Sequence, residues 1–233
     1  DGKHFADVSV RLRGPIVHSV QSAFSENWVG QTGELCMGDE VFPPLERAGE
    51  VTAHAAFVKP EGSAPAVKLL HHAVICAARK RLWIQNPYFI PEPAAIKAFG
   101  EAVARGVDVR VLMPSTGGSD NPMVQHAGHL NFEKLLRGGV RQFEYPHTLL
   151  HQKVVTVDGE WCAVGSSNFD DRSFETNEEI TVGFKDRAIT ARLDQIFEKY
   201  AARATEIKLE AWRKHEWRHR AIDNFYYAFN ELL

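Results

Sequence analysis

The stretch His151-Gln-Lys-Val-Val-Thr-Val-Asp158-Gly-Glu-Trp-Cys-Ala-Val-Gly165-Ser-Ser-Asn168 decides how the rest of the chain is read. Two apolar runs, 150–157 and 160–165, flank Asp158-Gly159. Asp-Gly between such runs marks a tight hairpin whose central residues take positive φ. A two-residue turn there pairs Val157 with Glu160, Val155 with Cys162, Lys153 with Val164 and His151 with Ser166. His151 and Lys153 lie two apart on one strand and face the same side. Directly opposed residues have Cβ atoms ~5 Å apart. The hairpin therefore predicts an imidazole, an ammonium and a hydroxyl on one face, with Asn168 in reach where the strand leaves the sheet.

That set suits a phosphate. Lys153 supplies a point positive charge for a nonbridging oxygen. Ser166 and Asn168 donate hydrogen bonds to the same oxyanion. His151 attacks phosphorus or shuttles a proton near neutral pH. A carboxylate on its other ring nitrogen would fix the tautomer, and Glu179, on the strand that follows, is the candidate. A lone histidine on a strand is more often structural; the convergence of Lys153, Ser166 and Asn168 sets His151 apart.

Outward from the hairpin, strands at 51–58, 81–85, 107–113 and 140–145 alternate with helices at 64–79, 93–105 and 121–137. Ser63 is a plausible N-cap for the first helix, with Pro65 near its first position; Gly106 and Gly138-Gly139 close the other two. This rhythm predicts an α/β fold with a mixed sheet flanked by helices. A strand at 180–184 and a helix at 187–203 follow. Upstream, 5–12 alternates like a half-buried strand, 15–28 reads as a helix and 30–50 as a linker. The expected organisation is an N-terminal strand, helix and linker over 1–50, a catalytic lobe over 51–205, and an amphipathic helical tail over 206–233.

Composition narrows the function classes. The 233 residues carry 27 Lys and Arg against 30 Asp and Glu, a net charge of −3, which argues against nucleic acid as the partner. Cys36, Cys76 and Cys162 are widely spaced with no CxxC pair, so reduced thiols and no metal site are expected. No apolar run approaches a membrane span, and no signal peptide opens the chain.

His151-x-Lys153-x4-Asp158, six further residues and then Gly165-Ser166-Ser167-Asn168 resembles the HxKxxxxD…GSxN signature of the phospholipase D superfamily. Asp171-Arg172-Ser173-Phe174 with Asn177 and Glu179, the loop Asn86-Pro87-Tyr88-Phe89-Ile90-Pro91, and Glu206-Ile-Lys-Leu-Glu-Ala-Trp212 resemble bacterial cardiolipin synthases. The resemblance implies a phospholipase D-like lobe in which two such motifs meet at one site. One histidine forms a phosphohistidine; the other protonates the leaving group and activates the acceptor. It implies no metal and no cofactor, and gives Asp158 a supporting role at the turn. The expected site is thus His151, Lys153, Asp158, Ser166, Asn168 and Glu179.

One motif is present where cardiolipin synthases carry two, since no other histidine has the Lys and Asp at the right spacing. Residues 5–28 resemble the segment that follows a first motif, and the chain opens at Asp1-Gly2-Lys3 without Met. The expectation is the C-terminal half of a two-motif enzyme, or else a single-motif protein that homodimerises. The expected function is phosphatidyl transfer from one phosphatidylglycerol to another's glycerol hydroxyl, peripheral at the bacterial cytoplasmic membrane. A hydrolytic phospholipase D or nuclease, and a non-catalytic lobe, are the alternatives. Basic and aromatic residues interleave in the tail, from Lys208 and Trp212 to Trp217, Arg218, Phe225 and Phe229, which suits either a helix at a lipid surface or a C-terminal helix that docks its aromatics onto the domain. His71 and His72 are expected at the surface or its boundary. His126 and His129, after Asp120-Asn121-Pro122, are weaker candidates for the cleft. Tyr88 and Phe89 either line a lipid channel or pack in the core.

Overall fold

The computed structural model describes residues 5–58 and 65–214. One eight-stranded mixed sheet organises them. In chain order its strands are β1 (Thr52–Val58), β2 (Arg81–Gln85), β3 (Asp108–Pro114), β4 (Arg141–Tyr145), β5 (Val154–Val157), β6 (Trp161–Gly165), β7 (Glu179–Lys185) and β8 (Thr205–Ile207). Their spatial order is β1-β7-β6-β5-β2-β3-β4-β8. β2, β3 and β4 are parallel to one another, and every other neighbouring pair is antiparallel.

Helices cover both faces. α2 (Ala66–Ala77), α3 (Pro93–Ala104) and α4 (Pro122–Arg137) bury Val67, Ile75, Phe99, Ala102, Phe132 and Leu135 against Leu82, Ile84, Val109, Val111, Val155 and Val157. On the other face, α5 (Arg187–Ala201) brings Leu193 and Phe197 against a second set that includes Trp83, Leu112, Val154 and Val182. Alternate residues of each central strand thus enter opposite cores, which is why β5 (Val-Val-Thr-Val) and β6 (Trp-Cys-Ala-Val-Gly) carry no charged residue. At the sheet's two ends lie α1 (Ile16–Thr32), against β1, and α6 (Leu209–Arg213), against α4.

The hairpin turn forms as its sequence predicts. Asp158 and Gly159 have φ of 55° and 72°, and the Glu160 N–H donates to the Val157 carbonyl at 3.0 Å. The register beyond it differs by one residue from expectation. Val157 pairs with Trp161, Thr156 with Cys162, Val155 with Ala163 and Val154 with Val164. Glu160 is an extra residue on the returning strand, and a one-residue bulge moves every later pair. The ladder also begins later than expected, at Val154, so His151 and Lys153 sit on extended chain leading into β5.

Two further expectations are corrected. The stretch 5–12 forms no strand. It makes one bridge, Ala6 to Leu150, because among the described residues its alternating residues have no neighbouring strand to pair with. The segment after 205 begins not as a helix but as the short edge strand β8, antiparallel to β4. Ser63 and the tail from residue 215, including Trp217, Arg218, Phe225 and Phe229, lie outside the described residues. Among the described residues, no helix is long and apolar enough to cross a membrane.

Candidate active site

β2 and β5 are antiparallel, with Gln85 opposite Val154, so the C-terminal end of β2 lies beside the N-terminal end of β5. β3 runs parallel to β2 and ends on the same side. The chain entering β5, the loops leaving β2 and β3, and the β6–β7 connection therefore all open at one end of the sheet.

His151 and Lys153 meet there. Lys153 Nζ lies 2.7 Å from His151 Nε2 and 3.0 Å from the His151 carbonyl oxygen. On the opposite side of the ring, His151 Nδ1 is 3.0 Å from Asp7 Oδ2. The main chain holds that approach: the His151 N–H donates to the Ala6 carbonyl and the Ala6 N–H to the Leu149 carbonyl, both at 2.9 Å. The carboxylate keeps the proton on Nδ1 and leaves the Nε2 lone pair directed at the lysine, a tautomer assigned from this network. Glu179, the expected orienter, bonds elsewhere. It accepts from the Ser166 hydroxyl and, at 3.2 Å, from Asn177 Nδ2. The carboxylate paired with His151 is Asp7, 144 residues upstream.

Burial pushes the Lys153 ammonium down to about 8, partly opposed by the carboxylates of Asp7, Glu179, Asp120 and Asp170. A cation so placed, with its charge only part-compensated, is suited to a phosphoryl oxygen. Burial raises Asp170 above the usual carboxylate range, while the Ser173 N–H, donating at 2.7 Å, works against the rise.

Ser166 is set by β7. Its N–H donates to the Ile180 carbonyl at 2.9 Å, and the Ile180 N–H donates to its hydroxyl at 3.1 Å. Gly165 is required because β7 crosses so close. A Cβ there would lie 2.5 Å from the Ile180 oxygen and 2.8 Å from Thr181 Cα. Asn168 Oδ1 is buried without a hydrogen-bond partner among the described residues. Asn86 ties the β2 loop to this turn: its Nδ2 donates to the Ser167 carbonyl at 3.3 Å, and its Oδ1 accepts from the Phe169 and Tyr88 N–H groups at 3.2 Å.

Asp158 stands at the other end of the hairpin, far from this chemistry. Its carboxylate accepts backbone N–H bonds from Arg79 at 3.0 Å, Lys80 at 2.7 Å and Arg81 at 2.9 Å, pinning the turn to the α2–β2 junction. His71 is not at the boundary but buried. Its Nδ1 is 2.8 Å from the Val67 carbonyl and its ring packs on Phe169 and Phe174. His129 is buried too, 3.1 Å from Glu144 and packed edge-on to Phe132 and Trp212. Phe89 packs in the core on Phe99 and Phe169, while the Tyr88 hydroxyl donates to Asp120 Oδ1 at 2.6 Å. Sequence reasoning missed Asp7, Asn86, Asp120 and Asp170 as members of this end of the sheet. Asn86 alone stands in a motif, Asn86-Pro87, that marks it.

Known proteins are similar to this chain. Cardiolipin synthase 2 of Bacillus anthracis is 34% identical over 229 residues, 97% of this chain and 44% of its own length. Cardiolipin synthase A of Pseudomonas entomophila is 38% identical over 209 residues, 88% of this chain and 42% of its own. The chain thus spans less than half the length of these curated relatives. Among solved structures, the phospholipase D family member Nuc from Salmonella typhimurium superposes with a TM-score of 0.57 at 21% identity, covering 68% of this chain and 99% of that one. Phosphatidylserine synthase from Haemophilus influenzae gives 0.63 at 13% identity, over 97% and 54%. Both share the fold. Residues 72–201 match the family described as "Cardiolipin synthase, PLD-like domain", and the chain belongs to that family.

Proposed function

We propose that this chain supplies one half-site of an enzyme that forms cardiolipin from two phosphatidylglycerol molecules. The observation that carries the reading is the three-residue array Asp7–His151–Lys153, in which a ring nitrogen faces a half-buried ammonium. The resemblance to cardiolipin synthases supports the choice of lipid.

In the forward reaction the Lys153 ammonium moves from Nε2 to a phosphoryl oxygen and withdraws charge from phosphorus. One histidine attacks phosphorus. The bond to the glycerol headgroup breaks, and glycerol leaves with a proton donated by the histidine of the other half-site. The glycerol hydroxyl of a second phosphatidylglycerol then attacks the phosphohistidine, giving up its proton to that same base. His151 fills one of these two roles. Ser166 and Asn168 bind phosphoryl oxygens beside Lys153. Asp7 stabilises the imidazolium whenever His151 is protonated, whichever role it has. Glu179 holds Ser166, and Asp158 supports the hairpin from outside the site. The second half-site comes from a preceding lobe or a second copy, and the substrate is met at the membrane surface.

The test is the product. With both half-sites present and phosphatidylglycerol vesicles as substrate, cardiolipin and free glycerol are expected in equal amounts. Phosphatidic acid as the sole lipid product would instead assign a hydrolase.

A further inference from the structure

At the same end of the sheet as the His151–Lys153 pair lies a second polar couple that the transfer chemistry leaves unused, its Asp120 carboxylate near enough to act on the Lys153 charge. The Tyr88 hydroxyl donates to Asp120 Oδ1 at 2.6 Å. Tyr88 comes from the loop after β2 and Asp120 from the loop after β3, the two loops that open at the site's end of the sheet. Both are held in place. The Tyr88 ring rests on a cluster of Ile90, Val124 and Ala127. Its carbonyl accepts from the Phe169 N–H at 3.1 Å, directly after Asn168. Buried Gln125 clasps the two loops, donating to the Pro87 carbonyl at 2.6 Å and to the Ser119 hydroxyl at 3.5 Å. Burial and the Asp120 contact both raise the Tyr88 phenol, which therefore stays protonated. Asp120 itself is exposed at the mouth, with carboxylate lone pairs left for a ligand.

We infer that the Tyr88–Asp120 couple binds the vicinal hydroxyls of the glycerol headgroup and so selects a polyol over water or an amino alcohol as acceptor. The inference rests on the phosphatidyl-transfer reading. A carboxylate accepts from one hydroxyl, and a phenol whose own proton is committed to that carboxylate accepts from the next, a pattern matched to a diol. An ammonium-bearing headgroup would also be drawn to Asp120, but it would stand near the Lys153 charge, whereas a neutral diol meets no such repulsion. Sites that hydrogen-bond a hydroxyl discriminate strongly against analogues lacking it, because the site's polar groups are then left unpaired.

The experiment measures how phosphatidyl groups from phosphatidylglycerol partition among water, isotope-labelled glycerol and ethanolamine in the enzyme with both half-sites present, for wild type, Asp120→Asn and Tyr88→Phe; label entering phosphatidylglycerol reports transfer to glycerol. Wild type should favour glycerol over ethanolamine. Asp120→Asn should lower the ratio of glycerol transfer to hydrolysis by about tenfold or more, with a raised KM for glycerol. Tyr88→Phe should move the ratio in the same direction. Because the readout is a ratio within each sample, a partly misfolded variant still reports. Equal use of ethanolamine by wild type, or an unchanged ratio in both variants, would overturn the inference while transfer itself stood. No wild-type turnover of phosphatidylglycerol would overturn the underlying reading, and the inference with it.

Discussion

Asp7 Oδ2 lies 3.0 Å from His151 Nδ1, although 144 residues separate the two in the chain. The contact is made by an extended N-terminal segment that joins the lobe by one β-bridge, Ala6 to Leu150. In the proposed mechanism His151 gains and loses a proton at Nε2, which calls for a fixed tautomer and a counter-charge, and a carboxylate at Nδ1 is placed to provide both. Asp7→Asn should therefore cut kcat by roughly 10²–10³-fold with a much smaller change in KM. Steady-state kinetics at saturating lipid checks this, and a kcat within threefold of wild type would remove Asp7 from the mechanism.

Under the proposed mechanism, Lys153 is expected to set the alkaline side of the pH profile. Its ammonium is held near 8 by burial, well under the ordinary lysine value of 10.5. Phosphoryl binding needs the charged form. The kcat/KM should thus be sustained below about pH 8 and decline above it as the proton is lost. Lys153→Arg keeps a charge at every accessible pH, so its alkaline limb should vanish even though its maximal rate falls. An unchanged alkaline limb in that variant would assign the limb to another group.

Asp158 is predicted to matter for stability and not for chemistry. Three backbone N–H groups at the α2–β2 junction depend on its carboxylate, and its φ of 55° suits Asp or Asn better than Ala. Asp158→Ala should cost about 2 kcal/mol and lower Tm by about 4–8 °C. Below its own transition the variant should retain near-normal kcat. Thermal melts read alongside activity separate the two effects.

Gly165 is a steric requirement of the site. A methyl group there meets the Ile180 carbonyl and the Thr181 backbone of β7. Gly165→Ala should destabilise by about 1–3 kcal/mol and displace Ser166 from its Glu179 contact. A melt and a rate indistinguishable from wild type would show that β7 yields at no cost.

Those parts of the fold and site that depend on residues close together in the chain are legible in the amino-acid sequence. The alternation of strands and helices, the Asp-Gly turn and the closeness of His151 to Lys153 rest on periodicity and turn chemistry within a few residues. The expected pairing of His151 with Ser166 does not form, because Val154 already pairs with Val164. What stays hidden is long-range or a matter of one residue. The bulge at Glu160 shifts the register without any change in residue type that announces it. Asp7 reaches His151 through chain topology, and Glu179, nearer in sequence, bonds Ser166 instead. His71 reads as a helix-surface residue beside His72, but the Phe169 and Phe174 rings from the loop after β6 cover it. β8 is three residues long and pairs with β4, too short for periodicity to register.

The most direct measurement of the central claim is cardiolipin formation by His151→Asn in the enzyme with both half-sites present. Asparagine keeps a polar side chain at the same place but can neither attack phosphorus nor carry a proton between steps. Loss of detectable cardiolipin formation, in a variant that melts like wild type, is the predicted result. Substantial remaining synthesis would contradict the assignment of His151 to the reacting pair.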